Sequence, residues 1–297
     1  MQTYAVSFLC LLFASTGFAQ MKKVEGFIFE ASTNKPIEYA EITILNRMGG
    51  VYSDAKGYFS LQQNFNPRDT LVISALGYIQ QKIILQEIEL PLKIYLKEEI
   101  IEEISVRGKR TKIVKYKVGD LRNTNGSFLS NKIRYFNRSK ITFINYIPNI
   151  KNKKGFIESI YIKLHKKNNL FLKDVATGAK IYYKSPNRIK IRIRCLSANK
   201  DLEPEKDLSK QEMIFEITSF KNQWIDISKY NIPFPENGAF VGMEILEVIG
   251  EDGMGNVSMP YFEVRESDKP AYIFGGGKWS LQKKRATFLG AEVSLEK

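Results

Sequence analysis

The chain has 297 residues, with 45 Lys/Arg against 32 Asp/Glu, two cysteines and one histidine, and a formal charge of +13. One histidine excludes zinc sites that need a pair of imidazoles, and two cysteines exclude a scaffold stapled by several disulfides. The excess charge is local: residues 21–97 are near neutral, residues 155–297 are nearly so, and the intervening 98–154 hold 14 Lys/Arg against five acids.

Residues 1–20, MQTYAVSFLCLLFASTGFAQ, carry no charged side chain. Their apolar run from Ala5 to Phe13 leads to Gly17-Phe18-Ala19 ahead of Gln20, the anatomy of a secretory signal peptide over 1–19, although its first residues lack Lys or Arg. The run is shorter than the roughly 20 residues of a membrane-spanning helix, and no later segment qualifies as a transmembrane helix. Cys10 lies inside the leader, so Cys195 is the one cysteine of the exported chain, and core packing rather than a disulfide must hold the fold.

From residue 20 to 97 the pattern is β. In LPLKIYL, Leu90, Leu92, Ile94 and Leu96 share one phase and Lys93, Tyr95 and Lys97 the other; YAEITIL sets Ala40, Ile42 and Ile44 against Glu41 and Thr43. Such period-2 alternation marks half-buried strands, and turn signals separate them at TNKP, RMGG, DAKG, NPRD and LGY. In SDAKGYFSL, Asp54 can accept backbone N–H bonds and Gly57 can supply a positive φ, so a turn explains the stretch better than a calcium loop, which needs more oxygen ligands.

Gly26, Pro36, Ala40, Asp54, Gly57, Phe59, Asp69-Thr70-Leu71 and Gly77-Tyr78 occur in the order of the carboxypeptidase-regulatory-like domain, and residues 23–96 resemble that family. The resemblance implies a seven-stranded, transthyretin-like (prealbumin-type) sandwich. It also implies a non-catalytic module common in exported proteins of Gram-negative bacteria. LKEEIIEEISVRGKR resembles the segment that follows this domain in outer-membrane receptors, but too few residues follow for a plug and a 22-stranded barrel. The segment Leu96 to Arg110 is then expected to serve as an edge strand or a linker, and residues 98–124 as a whole are expected to be a basic connector.

Residues 125–297 are expected to form a second module. A strand is predicted over Ile141–Tyr146. ESIYIKLHKK puts Ile160, Ile162 and Leu164 on one face; RIKIRIRCLS puts Ile189, Ile191, Ile193 and Cys195 on one face and Arg188, Lys190, Arg192 and Arg194 on the other. AFVGMEILEV reads as a central strand, and KRATFLGAEVSL ends with Leu289, Ala291 and Val293 in phase. With no helical periodicity, the expected fold class is all-β, the second module being a jelly-roll-like β-sandwich. This part also resembles a C-terminal sandwich that accompanies the first domain in exported proteins, a family with no activity to carry over.

The chemistry that can be sought is limited. His165 falls in the polar phase of its strand, and Cys195 in the apolar phase, as expected of an inert buried thiol. Glu244, Glu247, Glu251 and Asp252 are the acids a glycosidase would need, with Glu244 and Glu247 expected on opposite strand faces. GGGKWS lacks phosphate-loop spacing and reads as a hairpin connection; EDGMGNVSMP reads as a surface turn, with a cation at Asp252 and Asn256 as the minor alternative. Trp224, Trp279, Tyr182 and Tyr183 are the candidate ligand-binding aromatics. Four like charges at Arg188, Lys190, Arg192 and Arg194 must face solvent or be matched by acids, which makes them candidates for anion or surface contact.

The expectation is an exported, non-enzymatic cell-envelope protein, periplasmic or associated with the outer membrane or cell surface. It combines a scaffold or docking module with a binding module, has no cofactor, metal site or catalytic residue, and does not bind nucleic acid. Its expected partners are an anionic glycan, lipid headgroups or an envelope protein. The alternative is a carbohydrate-active enzyme that uses carboxylates of the second module.

Overall fold

The computed structural model describes residues 22–47, 49–99, 113–119, 121, 127–128, 142–165, 170–173, 180–183, 187–209, 211–249, 261–265, 267–283, 286–287 and 289–296. The leader read as a signal peptide lies outside them. Apart from two 3-10 turns, every regular element among the described residues is a β-strand.

Strands in the first module are Lys22–Glu30 (β1), Glu41–Ile44 (β2), Gly50–Tyr52 (β3), Tyr58–Gln63 (β4), Thr70–Ser74 (β5), Gln81–Ile84 (β6) and Leu92–Leu96 (β7). They form the expected seven-stranded sandwich, with β4-β1-β7 facing β3-β2-β5-β6. Alternation does the sorting: Val24 and Ile28 of β1, Phe59 and Leu61 of β4 and Ile94 and Leu96 of β7 turn inward onto Ile42, Ile44, Leu71 and Ile73. The DAKG stretch is a turn, as expected. Asp54 Oδ1 accepts the Lys56 and Tyr58 amides at 2.8 and 2.9 Å, and Gly57 takes φ 75°.

The second module begins earlier than residue 125. Ile113–Gly119 (β8), inside the stretch expected to be a connector, pairs along Leu289–Glu296 as the edge strand of a five-stranded sheet. Its Val118 packs against the core, while most of the strand stays exposed and is held by its continuous pairing with the neighbouring strand. The remaining strands are Ser127–Phe128 (β9), Thr142–Ile147 (β10), Gly155–Ile162 (β11), Leu164–His165 (β12), Leu170–Lys173 (β13), Lys180–Tyr183 (β14), Arg188–Ala198 (β15), Pro204–Asp207 (β16) and Ile214–Ile217 (β17). They continue with Gln223–Asp226 (β18), Ile232–Phe234 (β19), Ala239–Ile249 (β20), Tyr261–Arg265 (β21), Ala271–Gly275 (β22), Lys278–Leu281 (β23), Ala286–Thr287 (β24) and Leu289–Glu296 (β25).

Two sheets make this sandwich. One runs β16-β15-β20-β10-β22-β23, with β17 also on β15; the other runs β18-β11-β25-β8, with β19 also on β11. The chain passes back and forth between them, β10 to β11 to β15 to β18, the jelly-roll-like habit. Ile157, Ile160, Ile162, Ile189, Ile191, Ile193, Val241, Met243 and Val293 fill the space between the sheets.

The larger sheet is buried on its second face too. Phe240, Ile144, Leu196 and Tyr272 form a separate apolar cluster there, and beside it the first module docks. This explains β2, in which all four residues are buried. Ile42 and Ile44 face the first core, while Glu41 and Thr43, 7% and 1% exposed, face the second module. Val72 of β5 is covered in the same way.

Candidate functional site

β15 and β20 present the charged face expected from their alternation, and it meets the first module. Arg192 is 2% exposed. Its Nη1 donates to Glu244 Oε2 at 3.0 Å, its Nε lies 2.7 Å from Glu212 Oε2, and its Nη2 donates to the Tyr39 carbonyl at 2.9 Å. The guanidinium also lies 5.9 Å from the ring centres of both Tyr39 and Tyr52, within cation–π reach. Tyr52 donates its hydroxyl proton to Glu244. A planar fork is what this site needs, since one lysine could not reach two carboxylates and a carbonyl.

Neighbouring cations are matched in turn. Arg194 Nε and Nη2 donate to Asp207 at 3.0 and 2.7 Å. Lys190 Nζ donates to the Tyr39 hydroxyl at 3.1 Å and lies 3.2 Å from Glu247. Arg188 stays exposed and pairs with Glu216 at 3.3 Å. The stripe is thus matched by acids, and two of its four cations, Lys190 and Arg192, bond to the first module. Tyr39 holds the unusual φ of 58°, a conformation that costs an L-residue of its size about 1–2 kcal/mol; it aims both carbonyl and ring at the cations.

Glu247 departs from expectation. A β-bulge shifts the β15–β20 register, so that Ile191 opposes Ile245 but Lys190 opposes Glu247. The extra residue turns Glu247 onto the same face as Glu244. Glu244 itself is 1% exposed, and its carboxylate meets protein groups. Glu251, Asp252 and Asn256 lie outside the described residues.

Burial pushes the Glu41 carboxyl up to about 8; the Glu244 charge adds to the shift, and Arg194 and Arg192 oppose it. Glu212 is shifted the same way, by burial first, with Arg192 and Arg194 opposing. Burial and then Glu244 hold the Tyr52 phenol well above its usual value. Desolvation works against the charge of Arg192, but Glu244 and Glu212 outweigh it. The cluster therefore acts as an electrostatic clamp that stores a proton on Glu41 at neutral pH.

A second clamp lies at the GGGKWS hairpin. Gly276 and Gly277, at φ 62° and 76°, link β22 to β23 in a two-residue turn of the primed type. The Gly276 carbonyl accepts the Asn46 amide at 3.0 Å, and a Cβ on Gly276 would stand 2.6 Å from the Arg47 carbonyl oxygen. The expected hairpin is present, and its tip is a contact with the first module.

The two candidate tryptophans lie in different sheets. Trp224 is half-buried on β18, 5.2 Å from Tyr161 and with Lys117 Nζ 5.1 Å above it. Trp279 on β23 packs 4.9 Å from Phe274, beside the outer apolar cluster. Tyr182 and Tyr183 lie on β14 and His165 on β12, and the side chains of these three lie outside the described residues. Cys195 is buried, and burial pushes its thiol up, as expected of an inert sulfur. A cavity of about 770 Å³ at one end of the first module, lined by Phe65, Pro67, Arg68, Asp69 and Leu85, includes none of the candidates. No group of three His, Cys, Asp or Glu side chains placed to hold a metal ion occurs among the described residues, and no helix among them is long and apolar enough to cross a membrane.

Alternation could have located Arg192 and Glu244 on one face, but Tyr39, Glu41 and Tyr52 carry no signal of their roles, because their partners lie some 150 residues away in another module. No curated protein matches the chain. Among solved structures, 84% of the chain aligns with the crystal structure of the cysteine protease and lectin-like domains of Cwp84, a surface layer associated protein of Clostridium difficile. The identity is 7% and the TM-score 0.34, and the chain spans 46% of that structure. Residues 24–106 match the model of the CarboxypepD_reg-like domain, and the N-terminal sandwich, with its inward Ile28, Phe59 and Leu71, is a domain of that family.

Proposed function

We propose that the protein is an exported, non-enzymatic component of the Gram-negative cell envelope, a rigid scaffold in which the regulatory-like sandwich holds a second, partner-binding sandwich in fixed orientation. The observation that carries this reading is Arg192, buried and bonded at once to Glu244 of its own module and to the Tyr39 carbonyl of the other. Inter-domain contacts within a chain permit relative motion by default; here Glu244 and Glu212 fix the Arg192 guanidinium within its own module, and its bond to the Tyr39 carbonyl together with that of the Tyr52 hydroxyl to Glu244 ties the buried cluster across to the first module. The uncharged leader with its Gly17-Phe18-Ala19 ending supports export.

One preparation tests both parts. Expressed from its own leader in a Gram-negative host, the protein is expected in the envelope fraction with Gln20 as its first residue. Spin labels at Lys56→Cys and Lys229→Cys, both exposed positions, are expected to give a single narrow distance. An intact leader in the cytoplasm would refute export, and a broad distance distribution would refute the rigid scaffold.

A further inference from the structure

Among the described residues, the first module is covered on one of its two outer faces. The second module lies on the β3-β2-β5-β6 sheet, and the opposite β4-β1-β7 sheet turns its outer face away. Four aromatic side chains form a row across that face. Phe27 opposes Tyr58 and Phe29 opposes Tyr95 in the strand register. Ring centres are 5.3 Å apart for Phe27–Tyr58, 6.3 Å for Phe27–Phe29 and 5.7 Å for Phe29–Tyr95. Phe27, Phe29 and Tyr58 are half-buried and Tyr95 is 44% exposed. Two phenylalanines on the open face of a three-stranded sheet contribute nothing to the core beneath it.

Charges around the row are unequal. Glu25 accepts the Tyr58 hydroxyl at 2.9 Å and pairs with Lys23, so its charge is matched within the face. Lys93 and Lys97, exposed in the same phase as Tyr95, enter no ion pair among the described residues. Glu30 and Glu98 belong to the inward phase at the strand ends. Glu99, also exposed, follows two residues beyond Lys97 at the end of this phase, so the charge flanking the rings on β7 is Lys93 and Lys97 against one carboxylate, a positive balance whose complement is an anion.

The free edge of β7 is capped, since Gln81 Nε2 donates to the Tyr95 carbonyl at 2.7 Å and the Ile79 amide to the Lys97 carbonyl at 2.8 Å. Addition of a peptide strand at that edge, beside the rings of Phe29 and Tyr95, is blocked. A nucleic-acid strand needs cations along its whole backbone, and two are present. Sugar rings meet the remaining requirement, because their C–H faces lie flat on aromatic rings.

We propose that the outer face of β4-β1-β7 docks an acidic polysaccharide, its pyranose rings against Tyr58, Phe27, Phe29 and Tyr95 and its carboxylates at Lys93 and Lys97. The assignment rests on the reading of the protein as an envelope scaffold and names what the scaffold holds.

The test is biolayer interferometry of the full chain on immobilised hyaluronan, in which carboxylate-bearing and neutral rings alternate, with dextran, polyglutamate and a single-stranded oligonucleotide for comparison. Hyaluronan is expected to bind at least about tenfold tighter than any of the other three. Tyr95→Ala and Lys93→Ala are each expected to weaken it about fivefold with an unchanged melting temperature, since both side chains are exposed. Equal binding to polyglutamate would reduce the face to plain charge attraction and overturn the proposal. Tighter binding to the oligonucleotide, binding that ignores both substitutions, or no binding at all would overturn it as well. These outcomes leave the spin-label distance untouched, so failure of this surface and failure of the scaffold are separable.

Discussion

Arg188, Arg192 and Arg194 share one phase of one strand and end in three settings: solvent, a two-module clamp and a local pair with Asp207. Removing one partner from a buried pair leaves an uncompensated charge, which costs about 3–5 kcal/mol, whereas replacing both partners by apolar groups is often neutral. Arg192→Met is therefore expected to lower unfolding free energy by about that amount, and Arg192→Met with Glu244→Met to recover most of it, as read from urea midpoints. Glu41 supplies a pH dependence. Its carboxyl titrates at about 8 in the folded protein against an ordinary 4.5, so between those values the native state holds the extra proton. Stability is then full below about 4.5, falls as pH rises toward about 8, and levels beyond. Glu212, shifted the same way, steepens that fall. Glu41→Gln, which keeps the neutral shape, is expected to flatten the slope and to raise the midpoint above pH 8; an unchanged slope would place the titration elsewhere. Alternation revealed which phase Glu41 occupies but not its burial, because burial on that face comes from another module.

Among the elements, strands were the most legible feature. The predicted Ile141–Tyr146 strand is Thr142–Ile147, and the inward sets at Ile189–Cys195 and Leu289–Val293 hold because a period-2 apolar pattern has one way to bury itself. The bulge before Glu247 was illegible, since a one-residue slip leaves the local alternation intact while reversing the face of every later residue in the strand. The GGG hairpin was legible as a turn and illegible as a contact. Gly276→Ala is expected to destabilise the protein by about 1–3 kcal/mol, because it adds a Cβ at φ 62° and 2.6 Å from the Arg47 carbonyl oxygen. Hydrogen exchange should report it as faster exchange of the Asn46 amide, while the β10–β20 pairing stays protected.

Across the molecule, the two modules meet at two separate contacts among the described residues, the Arg192 cluster and the β22–β23 tip. In the Arg192→Met variant the spin-label distance between positions 56 and 229 is expected to broaden, with each sandwich still folded around its own core. Residues 113–119, counted with the basic connector on composition, belong to the second sandwich, where Lys115 lies 3.5 Å from Glu292. Charge counts along the chain could not separate a linker from an edge strand, because lysines suit both. The all-β class, the first module's family, the inward phase of each long strand and the turn at Asp54–Gly57 were written in the linear order of residues, since each depends on neighbours a few positions apart. Packing of one sandwich on the other was needed to bury β2 on both faces, to turn a charged stripe into a clamp, and to leave an aromatic row facing outward. Those outcomes depend on which faces of the two sandwiches meet, and that choice is made between residues far apart along the chain.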